Sequence, residues 1–211
     1  MKTIKFLAAG IIASSFFLAS CAGSGSEKPA NADSTATGAL ADGRYTINPA
    51  LSKVTWKAEM FKVKEHFGTI GIKEGVFEVR DGKLASGNVV VDMKSMAPQD
   101  TNYTAEGDGS KGKLIGHLQS ADFFNVELFP TSTFSITSVE GSTAKGTLTL
   151  RDKTDAEQVE NMVLNATPSG VTASGSLTFD RQKYGAAFTT GSPDFVISDD
   201  VMLTFELVAD R

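Results

Sequence analysis

From Arg44 onward, apolar and polar residues alternate with a period of two in short runs, as in strands with one buried and one wetted face. Residues 52–60 show it most clearly. Val54, Trp56, Ala58 and Met60 share one parity, while Lys53, Thr55, Lys57 and Glu59 share the other. Residues 45–48, 67–79, 87–96, 133–139, 145–150, 158–166, 171–179 and 201–209 read as further strands. Asp81-Gly82 and Glu140-Gly141-Ser142 supply turns between neighbours, and Gly68, Gly71 and Gly75 permit bulges or a strong bend. In 171–179 the inward set is Val171, Ala173, Gly175, Leu177 and Phe179; in 201–209 it is Val201, Leu203, Phe205 and Leu207.

The alternation breaks once, in residues 111–130. Leu114, Ile115 and Leu118 recur at helical spacing, which predicts a short amphipathic helix over Lys111–Gln119. Ser120 offers an N-cap oxygen to one further turn, 121–124, with Asp122 near its positive end. Pro130 then disfavours helical geometry before it and returns the chain to an extended path. With Phe123, Phe124 and Phe129 on it, the segment reads as a helical lid or plug. A plain connection closing one barrel end fits the pattern too.

About eight such strands, joined by turns and one helical excursion, predict an all-β fold: an antiparallel barrel, closed or nearly so. A β-sandwich is the alternative. Lys, Glu, Thr and Asp on the outward parity argue against a lipid-facing transmembrane barrel. Inward positions mix large residues (Trp56, Phe134, Phe179, Phe205) with small ones (Ala58, Ala173, Gly175). An eight-stranded barrel is either filled by its side chains or lined by them around one ligand. Small residues make room for a slender apolar guest, yet small against large is also how a solid core interlocks. The pattern alone leaves both open.

The N-terminus is organised differently. Lys2 and Lys5 precede an apolar run, 6–18, too short for a comfortable membrane span and laid out like a secretory signal, 1–20. Leu18-Ala19-Ser20-Cys21 resembles the bacterial lipobox, in which the cysteine is acylated as the first mature residue. Cys21 is the only cysteine, so the chain forms no internal disulfide. Residues 21–42 combine that anchor with a Gly-, Ser-, Ala- and Thr-rich tether of roughly 25 Å root-mean-square span. Residues 43–211 suit one domain. Loss of the two signal lysines takes the formal charge from −5 to −7, and without a basic stripe nucleic acid is a poor partner.

The polar candidates are Lys62, Lys64, His66, His117, Asp122 and Arg181. His66 is satisfied by backbone near the Gly68 bend, or meets a ligand. His117 continues the helix face of Leu114, which suits a packed, hydrogen-bonded imidazole. Asp122 caps its own turn, and Arg181 with Asp180 makes a rim ion pair of small energetic value. Any of the cations could alternatively meet an anionic head group. Two histidines without a partner cysteine argue against zinc unless carboxylates complete the site. No Gly-x-Ser-x-Gly elbow, phosphate loop or dinucleotide glycine pattern occurs, so no cofactor is implied. Ser120, His117 and Asp122 form a catalytic trio only on paper, because residues so close in sequence usually cap one another.

His117-Leu118-x-Ser120-x-Asp122-Phe123-Phe124-x-Val126-x-x-x-Pro130-Thr131-x-x-Phe134 resembles the central signature of the YceI-like family. Three further segments resemble that family in order: Lys62-x-Lys64-x-His66-Phe67-Gly68-Thr69, Gly146-Thr147-Leu148-Thr149-Leu150, and Phe179-Asp180-Arg181-x-x-Tyr184-Gly185. Residues 151–157 depart from its pattern as a charged connection that could change the barrel rim. The resemblance implies a lipocalin-like barrel that holds an isoprenoid or other long-chain lipid. Its cavity wall would include Trp56, Ala58, Phe67, Leu114, Phe123 and Phe124, together with Phe134, Ala173, Gly175, Phe179 and Phe205. Lys62, Lys64, His66, His117 and Arg181 would form the rim or meet the head group. The function expected is a non-enzymatic, lipid-carrying lipoprotein, anchored through Cys21 in the outer membrane and facing the periplasm. A filled interaction module of the envelope and a hydrolase of amphiphiles are the alternatives.

Overall fold

The structure, a computed structural model, describes residues 40–60, 64–191 and 196–211. The signal segment, Cys21, the tether up to residue 39, and Lys62 lie outside the described residues. Among those described there are nine strands: β1 (Gly43–Ile47), β2 (Lys53–Met60), β3 (Lys64–Arg80), β4 (Lys83–Pro98), β5 (Thr131–Glu140), β6 (Thr143–Leu150), β7 (Lys153–Ala166), β8 (Gly170–Asp180) and β9 (Ile197–Asp210). Helix α1 spans Lys111–Gln119, as the apolar spacing predicts.

All the pairings are antiparallel, and β2 through β9 close on themselves through the β3–β4 and β2–β9 ladders. Strand β1 bonds both β3 and β9, the two neighbours of β2, at positions beyond the end of β2. It therefore continues the β2 stave after a short break, and the sheet is a closed eight-stave barrel rather than a sandwich. The folded region also starts earlier than residue 43. Leu40 is buried in the core, the Gly82 N–H donates to Asp42 Oδ1 at 2.9 Å, and Arg211 Nη2 donates to the Asp42 carbonyl at 2.8 Å.

The two ends of the barrel differ. Short turns after β3, β5 and β7 close one end, while the long connection 99–130 and the described residues 181–191 after β8 gather at the other. The charged stretch 151–157 is not a loop at that second end. Arg151 and Asp152 both adopt left-handed backbone (φ 52° and 60°), the geometry of a two-residue hairpin, and β7 begins at Lys153. Asp155 and Glu157 thereby become strand residues paired with Leu148 and Gly146. Ser120 also departs from expectation. Its hydroxyl donates to the His117 carbonyl at 2.8 Å, so it closes the C-terminus of α1 instead of capping a new helical turn.

Neighbouring staves interlock through rings laid over glycines. Trp56 pairs directly with Gly68, and a Cβ on Gly68 would lie 2.7 Å from the indole and 2.3 Å from the Ala97 carbonyl oxygen. Phe205 covers its partner Gly175 in the same way, and Phe134 covers Gly146. Each ring is thus held against the wall. Overpacking typically costs about 1–3 kcal/mol and more where backbone must move, so Gly68→Ala should clearly lower the thermal midpoint. Gly116→Ala, on α1 with nothing within 4 Å of the new Cβ, should raise stability by about 0.4–1 kcal/mol. Thermal unfolding of the two variants against the parent checks both signs.

Candidate ligand-binding site

Three chambers adjoin along the barrel. One of ≈ 110 Å³ lies toward the closed end, walled by residues such as Phe77, Leu84, Ala173 and Phe205. A second of ≈ 90 Å³ lies above it and shares Val91, Ser132, Leu148 and Leu203 with the first. A third of ≈ 530 Å³ forms the mouth and shares Trp56, Ala58, Leu118, Phe123 and Ile197 with the second. The walls of the inner two are almost wholly apolar. The Ser132 hydroxyl is spent on the Thr149 carbonyl at 2.8 Å. Apolar cavities of about 150 Å³ stay dry and accept apolar guests, so these chambers suit a slender hydrocarbon rather than water.

Most of the residues expected at the wall line one of the three chambers. Trp56, Ala58, Phe123, Phe124 and Phe179 line the second chamber, Phe134, Ala173 and Phe205 the first, and Leu114 the mouth. Phe123 and Phe124 are buried, their rings edge-to-face at 4.8 Å, so the central aromatic pair does plug the barrel. Two expectations are corrected. Phe67 is 38% exposed, because pairing Gly68 with Trp56 turns Phe67 outward opposite Lys57. Gly175 opens no room, because the Phe205 ring occupies the space its side chain would take. The pattern missed Met93 and Met96 in the second chamber, whose flexible thioethers fill irregular gaps.

At the mouth, polar groups cluster around a carboxylate that the sequence did not single out. The Asp100 side chain is 1% exposed, and both of its oxygens lie 3.2 Å from His66 Nδ1. It also accepts from the Tyr103 hydroxyl and from the backbone N–H groups of Phe67 and Asn102. Burial alone would raise its pKa, but the Tyr103, Asn102 and His66 bonds outweigh burial and hold the carboxyl below its usual range. Burial, together with the bond to Asp100, pushes the Tyr103 phenol upward. His66 is therefore held by a carboxylate rather than by backbone near Gly68, and the Tyr103 ring stacks on it at 5.4 Å. The aperiodic segment carrying Asp100 and Tyr103 gave no sequence signal of this contact.

His117 packs edge-on to Phe188 at 4.4 Å and Phe123 at 5.6 Å. Its Nε2 is buried with no hydrogen-bond partner among the described residues. Lys64 lines the mouth. Arg181 is not a rim residue paired with Asp180. It is 1% exposed and donates to the carbonyls of Ser198 (2.9 Å), Ala186, Phe188 (3.2 Å) and Ile197 (3.3 Å), and to Asp199 (3.2 Å). Those bonds engage all its nitrogens, so it ties residues 186–188 to residues 197–199 rather than meeting a head group. Burial draws its pKa down against the opposing pull of Asp199 and Asp180. Asp180 instead accepts from Gln182 N at 2.8 Å and caps a 3-10 turn, Arg181–Tyr184. Arg151 binds the carbonyls of Phe123, Gly185 and Ala121 and so joins three connections at the mouth. With the Ser120 hydroxyl committed to His117 and Asp122 exposed, no Ser-His-Asp trio is assembled there. Among the described residues, no three His, Cys, Asp or Glu side chains are grouped to hold a metal.

A closed antiparallel barrel with an apolar interior and a helix-bearing mouth defines a lipocalin-like architecture. The YceI-like domain matches residues 45–209, and the chain belongs to that family. No curated protein matches it. Among solved structures, Burkholderia cenocepacia BcnA is similar at 19% identity and a TM-score of 0.56, covering 78% of this chain and 99% of that one. A polyisoprenoid binding domain from Saccharophagus degradans, implicated in plant cell wall breakdown, is similar at 12% identity and a TM-score of 0.57, covering 79% and 98%.

Asp100→Asn tests the mouth cluster. A carboxyl whose folded pKa is depressed contributes stability above its unfolded pKa, about 3.9, and loses it as pH falls through the folded value. The variant should melt below the parent at neutral pH, and the gap should close below about pH 4. A gap independent of pH would contradict an ionised Asp100.

Proposed function

We propose that this protein is a binding protein whose barrel holds the chain of a long amphiphile such as an isoprenoid lipid, without a catalytic step. The observation that carries the reading is the adjoining series of apolar chambers, closed at one end and open at a polar mouth. Membership of the YceI-like family supports it, as does likeness to a structure named for polyisoprenoid binding. The reading places the protein in the cell envelope, attached through an acylated Cys21 and most simply facing the periplasm from the outer membrane. A single acyl chain binds membranes only marginally, and the multiple chains of a lipoprotein cysteine give stable attachment.

Ala173→Phe tests the cavity. Ala173 lines the chamber nearest the closed end, and the new ring fills that space without adding charge or removing a hydrogen bond. In a filled core the change would cost about 1–3 kcal/mol or more. The expected result is near-parent stability of the lipid-free protein together with loss of isoprenoid binding. Severe destabilisation with no lipid bound by the parent would contradict the reading. The anchor has its own test. Cys21→Ser should release the protein from the membrane fraction, and retention after a high-salt wash would count against lipidation.

A further inference from the structure

Two imidazoles from different elements bound the mouth chamber, His66 on β3 and His117 on α1. His66 is oriented: Nδ1 lies against the buried Asp100 carboxylate, so Nε2 is the nitrogen remaining for a guest. The buried Nε2 of His117 has no partner among the described residues, an unmet bond of the kind a ligand oxygen satisfies. Phe188 packs edge-on against that ring, so contact between a head group and this nitrogen requires the Phe188 side chain to turn aside. The charge around the chamber is also informative. Among its described lining residues, the lysines Lys64 and Lys113 are equalled in number by the carboxylates Glu59 and Asp108, and Arg181, which lines the chamber beneath, is engaged by neighbouring backbone carbonyls and Asp199. A site built for phosphate would present surplus cations or a guanidinium fork.

We propose that the mouth is a subsite for an uncharged, hydrogen-bonding head group, an alcohol or carbonyl held between His66 and His117. The protein would then select neutral polar isoprenoids over their diphosphates. The proposal rests on the reading of the barrel as an isoprenoid binder and names the class of head group that barrel takes. The apolar chambers hold the chain and supply most of the affinity, while the two imidazoles discriminate among heads.

The chain's single tryptophan, Trp56, lines both the second chamber and the mouth, so its fluorescence reports binding directly. Full-length protein stripped of co-purified lipid is titrated with geranylgeraniol, geranylgeranyl diphosphate and the headless hydrocarbon phytane. The alcohol should bind about tenfold more tightly than either of the others, the scale of one hydrogen bond made or lost at a buried site. His117→Phe keeps a ring against Phe123 and Phe188 and should lose about that tenfold for the alcohol while leaving phytane unchanged. His66→Phe should act in the same direction, which guards against a variant that merely folds poorly. Tighter binding of the diphosphate, weakened by added salt, would overturn the head-group assignment and leave the barrel reading standing. Equal losses for alcohol and phytane in both variants would overturn it as well. Failure of all three probes to bind the parent would overturn the barrel reading and this inference with it.

Discussion

The seating of inward aromatic rings over glycines on neighbouring staves is the constraint on which the rest of the structure depends. A buried Phe contributes roughly 1.5–3 kcal/mol through the area it removes from water. In an eight-stranded barrel that gain usually comes from meeting another side chain at the axis. Here Trp56 lies over Gly68, Phe134 over Gly146 and Phe205 over Gly175, so the rings gain contact within the wall. The alternation of large and small residues interlocks neighbouring strands rather than opposite ones. The axis stays open as a consequence, which turns a question about core packing into one about a ligand.

The mouth is built on a different principle. Its connections bury Phe123, Phe124, Val126, Tyr184 and Ala186 in the core, and two arginines tie them to one another with charge-assisted bonds to carbonyl oxygens. Arg151 joins the Phe123 turn to Gly185, while Arg181 gathers Ala186, Phe188, Ile197 and Ser198, with its guanidinium 5.5 Å from the Phe123 ring. That side of the lid is fixed. On the remaining side His66, Asp100 and Tyr103 tie β3 to the loop after β4, and His117 lies beneath Phe188. Rigid closure on one side and polar groups on the other give a guest a defined place for its head.

Much of this was legible in the sequence because period-two patterning and helical spacing are local properties. The parity of β2, β8 and β9 and the bounds of α1 follow directly from residue order. What escaped was non-local. Phe67 is apolar, but its facing is set by which residue meets Trp56 across the ladder, and that residue is Gly68. Gly175 looks like empty space until Phe205 is seen above it. The start of β7 reads as a charged loop because Asp155 and Glu157 carry the inward parity; Glu157 is covered by Tyr184, whose hydroxyl donates to it at 3.0 Å. Asp100 and Tyr103 occur in a segment without periodicity, and their partner His66 is more than thirty residues away.

The central claim is that the open axis holds a long-chain amphiphile. Native mass spectrometry of untagged protein purified from its own membranes, followed by denaturation and lipid extraction, tests it most directly. The prediction is one non-covalent guest per chain, released on denaturation and identified as a long-chain isoprenoid, while any acyl groups on Cys21 stay attached. A native mass equal to the denatured mass, with no lipid in the extract, would contradict it.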